Sequence, residues 1–184
     1  MLILASQSPR RSEILRQAGF SFVVRPANVD ETVRDSEAPE DYVKRVARDK
    51  AFAIEPGRDD IVLGADTTVV IDGRILAKPM DRADAVRMLQ LLSGREHVVL
   101  TGICLRDAGH SIVDVAETRV RFHPLSTGEI EQYAETGEPM DKAGAYAIQG
   151  GAAKFVARIE GSYANVVGLP IEMVCTYLQH WAER

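Results

Sequence analysis

Arg10 and Arg11, in the segment SQSPRRSEIL, stand where positive charge needs a reason. Ser8 followed by Pro9 marks a helix start, with Ser8 at the N-cap and proline at the first helical position. Both arginines then fall in the first turn, where the helix dipole is positive and a cation costs about 0.3–1 kcal/mol. An anion at that turn reverses the penalty. Backbone N–H groups, the Ser6 and Ser8 hydroxyls and two guanidinium forks would together form a phosphate cradle. Spacing alone leaves open the alternative that both side chains curl into solvent.

Asp66 is the second such residue, an acid inside the apolar run IVLGADTTVVIDG. Strand alternation puts it on a face with Gly64 and Thr68, whereas Ile61, Leu63, Ala65, Val69 and Ile71 take the other. Small and polar neighbours suggest a cleft floor, although a solvated strand face has the same pattern. An uncompensated buried carboxylate costs several kcal/mol, so Asp66 calls for a metal, a lysine or water. Lys50 interrupts the apolar stripe of an expected helix, and Lys78 follows a hairpin that returns toward the Asp66 strand. Snorkelling for Lys50 and an ordinary surface position for Lys78 are the competing explanations. Glu31, in VDET, lies in an acidic loop of the kind that is commonly just solvated. Together these carboxylates and cations fit metal-assisted attack of water on a phosphate better than acyl transfer, which needs a Ser-His or Cys-His pair.

Other chemistries find little support. Cys104 and Cys175 lack redox or metal spacing, and His97, His110, His123 and His180 are scattered without a ligand pair. Neither GxxxxGK[ST] nor GxGxxG occurs, which removes P-loop and dinucleotide-binding readings. A net charge of −5 over 184 residues argues against broad contact with nucleic acid or an anionic membrane, so an anionic ligand must meet a local basic cluster. The apolar run Leu2 to Ala5 is too short for a signal-peptide core, and no stretch approaches the roughly 20 apolar residues of a membrane span. The expectation is a cytoplasmic protein.

The elements that must position these residues are legible from periodicity and punctuation. Leu2 to Ala5 and Phe20 to Arg25 read as strands around a helix that ends at Gly19, and Pro39 to Ile54 reads as a second helix. The Asp66 strand turns at Asp72-Gly73 into a return through Arg74 to Lys78. Asp81 caps a helix that Gly94 terminates, and HVVLTGICLRD and SIVDVAETRVRF flank Ala108-Gly109 as a long hairpin. Ser126 to Glu129 is a capping box, GAYAIQ and KFVARI read as strands around Gly150-Gly151, and a final helix follows Pro170. Interleaved strands and helices with long hairpins predict an α/β class with a mixed sheet and flanking helices. With 46% hydrophobic residues, the length suits one globular unit or two small lobes sharing a sheet.

The segments LASQSPRRSEIL, VDE, RDKA, GADTTV, KP, LSGREH, DKAGAYAIQG and GSYANVVGLP, in that order from about Leu2 to Pro170, resemble the Maf family of nucleoside triphosphate pyrophosphatases, also called septum-formation inhibitors. The resemblance implies a single domain over residues 1–184, with two lobes around a central cleft and a fold similar to the inosine triphosphate pyrophosphatases. It also implies a divalent cation, Mg2+ or Mn2+, and a homodimer. The implied reaction cleaves a nucleoside triphosphate to the monophosphate and pyrophosphate. By the same resemblance Asp66 is the general base or metal-linked acid and Glu31 its metal partner. Arg11, Lys50 and Lys78 hold phosphates, and Ser8 belongs to the anion-binding turn.

Three positions resemble the dTTP/UTP branch: Arg10 after SP, Thr67 after GAD and Gln149 in AYAIQG. Alternation turns Thr67 away from the Asp66 face, which a bulge near Gly64 could restore. Uracil and thymine both present an O4 acceptor and an N3–H donor, which one amide such as Gln149 meets with both its atoms. The thymine methyl is worth only about 1–3 kcal/mol in a pocket, so both bases are accepted, and a flipped amide also suits cytosine. Two other functions share these motifs: a house-cleaning hydrolase of modified nucleotides, and a nucleotide-sensing regulator of cell division.

Overall fold

The computed structural model describes residues 1–182. In chain order the strands are β1 (Leu2–Leu4), β2 (Phe22–Val24), β3 (Ile61–Ile71), β4 (Arg74–Leu76), β5 (Glu96–Arg106), β6 (Ser111–Phe122) and β7 (Val156–Glu160). The helices are α1 (Pro9–Gln17), α2 (Pro39–Phe52), α3 (Arg82–Leu92), α4 (Thr127–Glu135), α5 (Tyr163–Val167) and α6 (Ile171–Ala182). The sheet is mixed, with strand order β2-β1-β3-β5-β6-β7 and β4 paired to β3. None of the described helices is long and apolar enough to cross a membrane.

The chain divides into two compact units, the first built from Met1–Thr67, Thr101–Ala116 and the chain from Gly168 onward. In this unit β1 pairs in parallel with β2 and with β3, Leu4 lying opposite Val24 and Leu63. Both faces of these strands are covered. On one, Leu2, Leu4, Leu63, Ala65, Ile103 and Leu105 pack with Leu15 of α1 and Val174 of α6. On the other, Ile3, Val62 and Cys104 pack with Ala47 and Ala51 of α2. Such double burial is why β3 reads as a nearly unbroken apolar run.

Gly64 has a packing role rather than the cleft-floor role its size suggested. A Cβ there would lie 2.1 Å from the Ala47 carbonyl oxygen and 2.7 Å from the Ala51 nitrogen. Gly102, on the neighbouring strand β5, meets the same helix: its Cβ would fall 2.3 Å from the Val43 carbonyl oxygen. Two missing side chains thus let the backbone of α2 settle directly on the sheet.

The second unit comprises Thr68–Leu100 and Glu117–Val167. Its β3–β4 hairpin turns as expected at Asp72-Gly73, with φ of 51° and 71°. Asp81 accepts from the Asp84 amide at the start of α3, and the Ser126/Glu129 capping box opens α4. Of the two strands expected around Gly150-Gly151, the first is corrected and the second is found in its later part, as β7. GAYAIQ is instead a 3₁₀ turn at Ala143–Ala145 followed by irregular chain, because Gly144 and Ala145 both take positive φ (68° and 59°), which no strand accommodates. KFVARI enters as a 3₁₀ turn at Gly151–Phe155, and only Val156–Glu160 is extended. Helix α5 had no sequence signal strong enough to be read.

Candidate functional site

Asp66 lies on β3 two residues beyond Gly64, so it faces α2 and the side chain of Lys50. Both residues are only 6% exposed. The Lys50 ammonium donates to Asp66 Oδ1 at 2.8 Å and stands 2.8 Å from Glu31 Oε1. Lys50 therefore does not snorkel, and Asp66 is not on a solvated face; each supplies the countercharge that burial of the other requires. Glu31 reaches the same ammonium from an exposed loop, its carboxylate half open to solvent.

Arg11 turns inward from α1 and is 8% exposed. Its Nε donates to the Gly168 carbonyl at 2.8 Å, one terminal nitrogen to Ser6 Oγ at 3.0 Å and the other to Thr67 Oγ1 at 3.0 Å. Thr67 Oγ1 also lies 2.9 Å from Thr101 Oγ1 and donates to the Gly168 carbonyl at 3.3 Å. Burial pushes the Arg11 guanidinium down from its ordinary range; the nearby charge of Asp66 opposes this, and Arg10 reinforces it. Thr67 takes the α1 and α6 face while Asp66 takes the α2 face, so the expected alternation holds. β3 runs unbroken from Ile61 to Ile71, and no bulge near Gly64 is needed.

Ser8 occupies the N-cap position, with Pro9 behind it, but its hydroxyl makes no capping bond. Its backbone N–H donates instead to Ser6 Oγ at 3.2 Å. Arg10 is partly exposed on the same first turn, which contains no acidic side chain. Arg11, Lys50, Asp66, Glu31, Thr67 and Ser8 thus all belong to the first unit, and hydrogen bonds or ion pairs join them into two sets, one around Lys50 and one around Arg11. Lys78 and Gln149 are exposed residues of the second unit and stand outside these sets.

Several members had no separate signal in the sequence. The Gly168 carbonyl is backbone, and a backbone acceptor leaves no mark on residue type. Thr101 reads as one more strand residue, yet it is fully buried against Thr67. Tyr42 carries no such signal either, although it is buried and its hydroxyl donates to the Glu31 carbonyl at 3.1 Å.

The donors near Lys50 are carboxylate oxygens, the ligand type preferred by hard cations such as Mg2+ and Mn2+. Among the described residues no group of three or more His, Cys, Asp or Glu forms a self-sufficient metal cage. An arrangement with one or two protein carboxylates completed by substrate phosphate oxygens suits Mg2+. Cys104 offers no competing nucleophile, since burial pushes its thiol up to about 11.

A mixed α/β fold carrying buried cations beside a carboxylate pair defines a protein equipped for phosphate chemistry. The chain belongs to the family described as Maf-like protein, whose profile matches residues 1–181. It is 56% identical over 173 residues to the dTTP/UTP pyrophosphatase of Symbiobacterium thermophilum, covering 92% of this chain and 88% of that one. It is 52% identical over 182 residues to the dTTP/UTP pyrophosphatase of Anaeromyxobacter dehalogenans, covering 97% and 92%. Among solved structures, the Ham1 protein of Staphylococcus aureus aligns with a TM-score of 0.55 at 12% identity, over 97% of this chain and 98% of that one. That likeness concerns the fold.

Proposed function

We propose that the protein hydrolyses dTTP and UTP to the monophosphate and pyrophosphate. The observation that carries this reading is the Lys50 ammonium held between Asp66 and Glu31 in the unit that also buries Arg11. Relatives named for this activity at 52–56% identity supply the substrate class.

In this reading water attacks the α-phosphorus. A new P–O bond forms, the bond to the bridging oxygen breaks, and pyrophosphate leaves with the electron pair. Asp66 takes the proton of the attacking water, and Lys50, already hydrogen-bonded to its Oδ1, holds that carboxylate in place. Arg11 and Lys50 offset the negative charge that grows on the phosphate oxygens. Ser8, Arg10 and the first turn of α1 receive the polyphosphate tail, which is the anion that explains two arginines at a positive helix end. Asp66 and Glu31 would hold a divalent cation, Mg2+ or Mn2+, which when bound polarises phosphate oxygens and neutralises their charge.

The roles of Lys78 as a phosphate ligand and of Gln149 as the reader of the pyrimidine edge rest on the motifs KP and AYAIQG. Thr67 serves by fixing Arg11. The same family resemblance supports a homodimer.

The test is a panel of UTP, dTTP, CTP, 7-methyl-GTP and modified pyrimidine triphosphates with Mn2+, with the products identified. Monophosphate plus pyrophosphate from UTP and dTTP is the expected result. Diphosphate plus orthophosphate, or a preference for 7-methyl-GTP or for a modified nucleotide, overturns the proposal.

A further inference from the structure

Glu31 lies in an irregular segment between β2 and α2, where no sheet or helix fixes its position. The peptide groups around it are nevertheless held. Arg45 of α2 donates to the Asp30 carbonyl at 3.4 Å and to the Thr32 carbonyl at 2.9 Å. Tyr42, one turn earlier on the same helix face, donates to the Glu31 carbonyl between them. Three successive carbonyls that lack ladder partners are therefore answered by two side chains of one helix. The Glu31 carboxylate meets Lys50, further along that helix.

Arg45 is itself locked. Its Nε and one terminal nitrogen form a two-pronged pair with Glu37, at 2.6 and 2.9 Å. Asp49 lies 3.6 Å from its other terminal nitrogen, and its guanidinium carbon lies 5.6 Å from the centre of the Tyr42 ring. The Arg45 hydrogen bond is the main reason the Glu37 carboxyl is held down at about 2, so this anchor stays charged across the working pH range. Glu37 also accepts from the Arg34 amide at 3.0 Å, which closes the far end of the loop on the same guanidinium.

We infer that Arg45, assisted by Tyr42, is the positioning residue that aims the Glu31 carboxylate at the cation site. This rests on the reading of Glu31 as a ligand of the divalent cation. Fixing the peptide units on either side of Glu31 sets the direction of its Cα–Cβ bond, which a loop tethered only through its carboxylate does not do. Lysine cannot replace this function. A single ammonium lacks the planar fork that grips Glu37 while reaching two carbonyls.

The experiment compares wild type, Arg45→Lys, Arg45→Met, Glu31→Gln and the double variant Arg45→Lys/Glu31→Gln. Three quantities are read: the Mn2+ concentration giving half-maximal dTTP turnover, Mn2+ binding by electron paramagnetic resonance with uncleavable α,β-methylene-dTTP, and amide hydrogen exchange across residues 28–36. Partners behind a metal ligand typically contribute about 10–100-fold to metal affinity. Arg45→Lys and Arg45→Met are expected to raise both Mn2+ values about tenfold and to speed exchange in the loop. Added to Glu31→Gln, Arg45→Lys is expected to change the Mn2+ values no further. Faster exchange with unchanged Mn2+ values makes Arg45 merely structural and overturns the inference, as does a shift that persists in the Glu31→Gln background. If Glu31→Gln alone leaves Mn2+ binding unchanged, the ligand role of Glu31 falls and the inference falls with it, a pattern distinct from the other two.

Discussion

Lys50 and Asp66 meet at 2.8 Å across the packed interface of a helix and a strand, each almost wholly removed from solvent. Neither is tolerable alone in that position, because a buried charge without its partner costs several kcal/mol. The pair is set where Gly64 and Gly102 let α2 lie against the sheet. The geometry of the candidate site and the docking of α2 are therefore linked, and substitutions separate them in characteristic ways.

Asp66→Asn keeps the shape of the side chain and leaves Lys50 with Glu31 as its remaining anion. The variant is expected to fold, with a far-ultraviolet spectrum like that of wild type. Loss of a proton acceptor commonly costs about 10²–10⁴-fold in rate. Pyrophosphate release from dTTP should fall by that much, and a variant with most of its turnover intact would remove Asp66 from the proposed role.

Lys50→Met removes the positive charge and leaves Asp66 and Glu31 facing without it. Breaking such a pair is expected to lower stability by about 3 kcal/mol, toward the lower end of the usual range because Glu31 is partly solvated. Mn2+ should then raise Tm more in the variant than in wild type, since the cation takes the place of the lost ammonium. Thermal melts with and without Mn2+ measure this, and equal shifts in the two proteins would contradict it.

Gly64→Ala drives a methyl group into the Ala47 carbonyl and the Ala51 amide, both of them helix backbone that cannot rotate aside. Overpacking of this kind costs about 3 kcal/mol or more. Urea unfolding should show that loss, together with reduced turnover because α2 carries Lys50. A neutral substitution would mean that the helix sits further from β3 than described.

His97 in the second unit is 2% exposed and bonded through Nε2 to the Tyr146 hydroxyl at 2.9 Å. Among the described residues its Nδ1 has no hydrogen-bond partner, and burial lowers its pKa from 6.5 to about 4. A base with a depressed folded pKa binds fewer protons than its unfolded counterpart. Its contribution is therefore complete above about pH 6.5 and is lost as the pH falls through about 4, an effect of order 3 kcal/mol. Urea titrations at pH 7 and pH 4.5 should show less acid sensitivity in His97→Gln than in wild type.

The candidate site is legible wherever a residue contradicts its surroundings. Asp66 in an apolar strand, Lys50 on an apolar stripe and Arg11 in a positive first turn all proved to be buried, partnered groups. Gly64 was visible but misread, because a small residue looks the same whether it opens a recess or admits a backbone. Ser8 was placed correctly at the helix start, yet the expected hydroxyl cap is absent.

Fold elements were legible where punctuation and period agreed, as in the capping box of α4 and the turn at Asp72-Gly73. They failed at GAYAIQ, where apolar residues resemble a strand but Gly144 sits against Val69 in a left-handed conformation. Arg45 and Tyr42 could not have been singled out, since their partners are carbonyls of a loop whose path is set by tertiary structure.

Arg11 draws one of its acceptors from Gly168, 157 residues further along the chain, and Leu169 beyond it completes the core that holds α1. Synthesis proceeds from the amino terminus, so a nascent polypeptide has its Asp66 and Lys50 long before it has the carbonyl that fixes its arginine. The proposed hydrolytic centre is thus finished only by late translation, and a ribosome stalled upstream of Gly168 yields a product that cannot set this guanidinium.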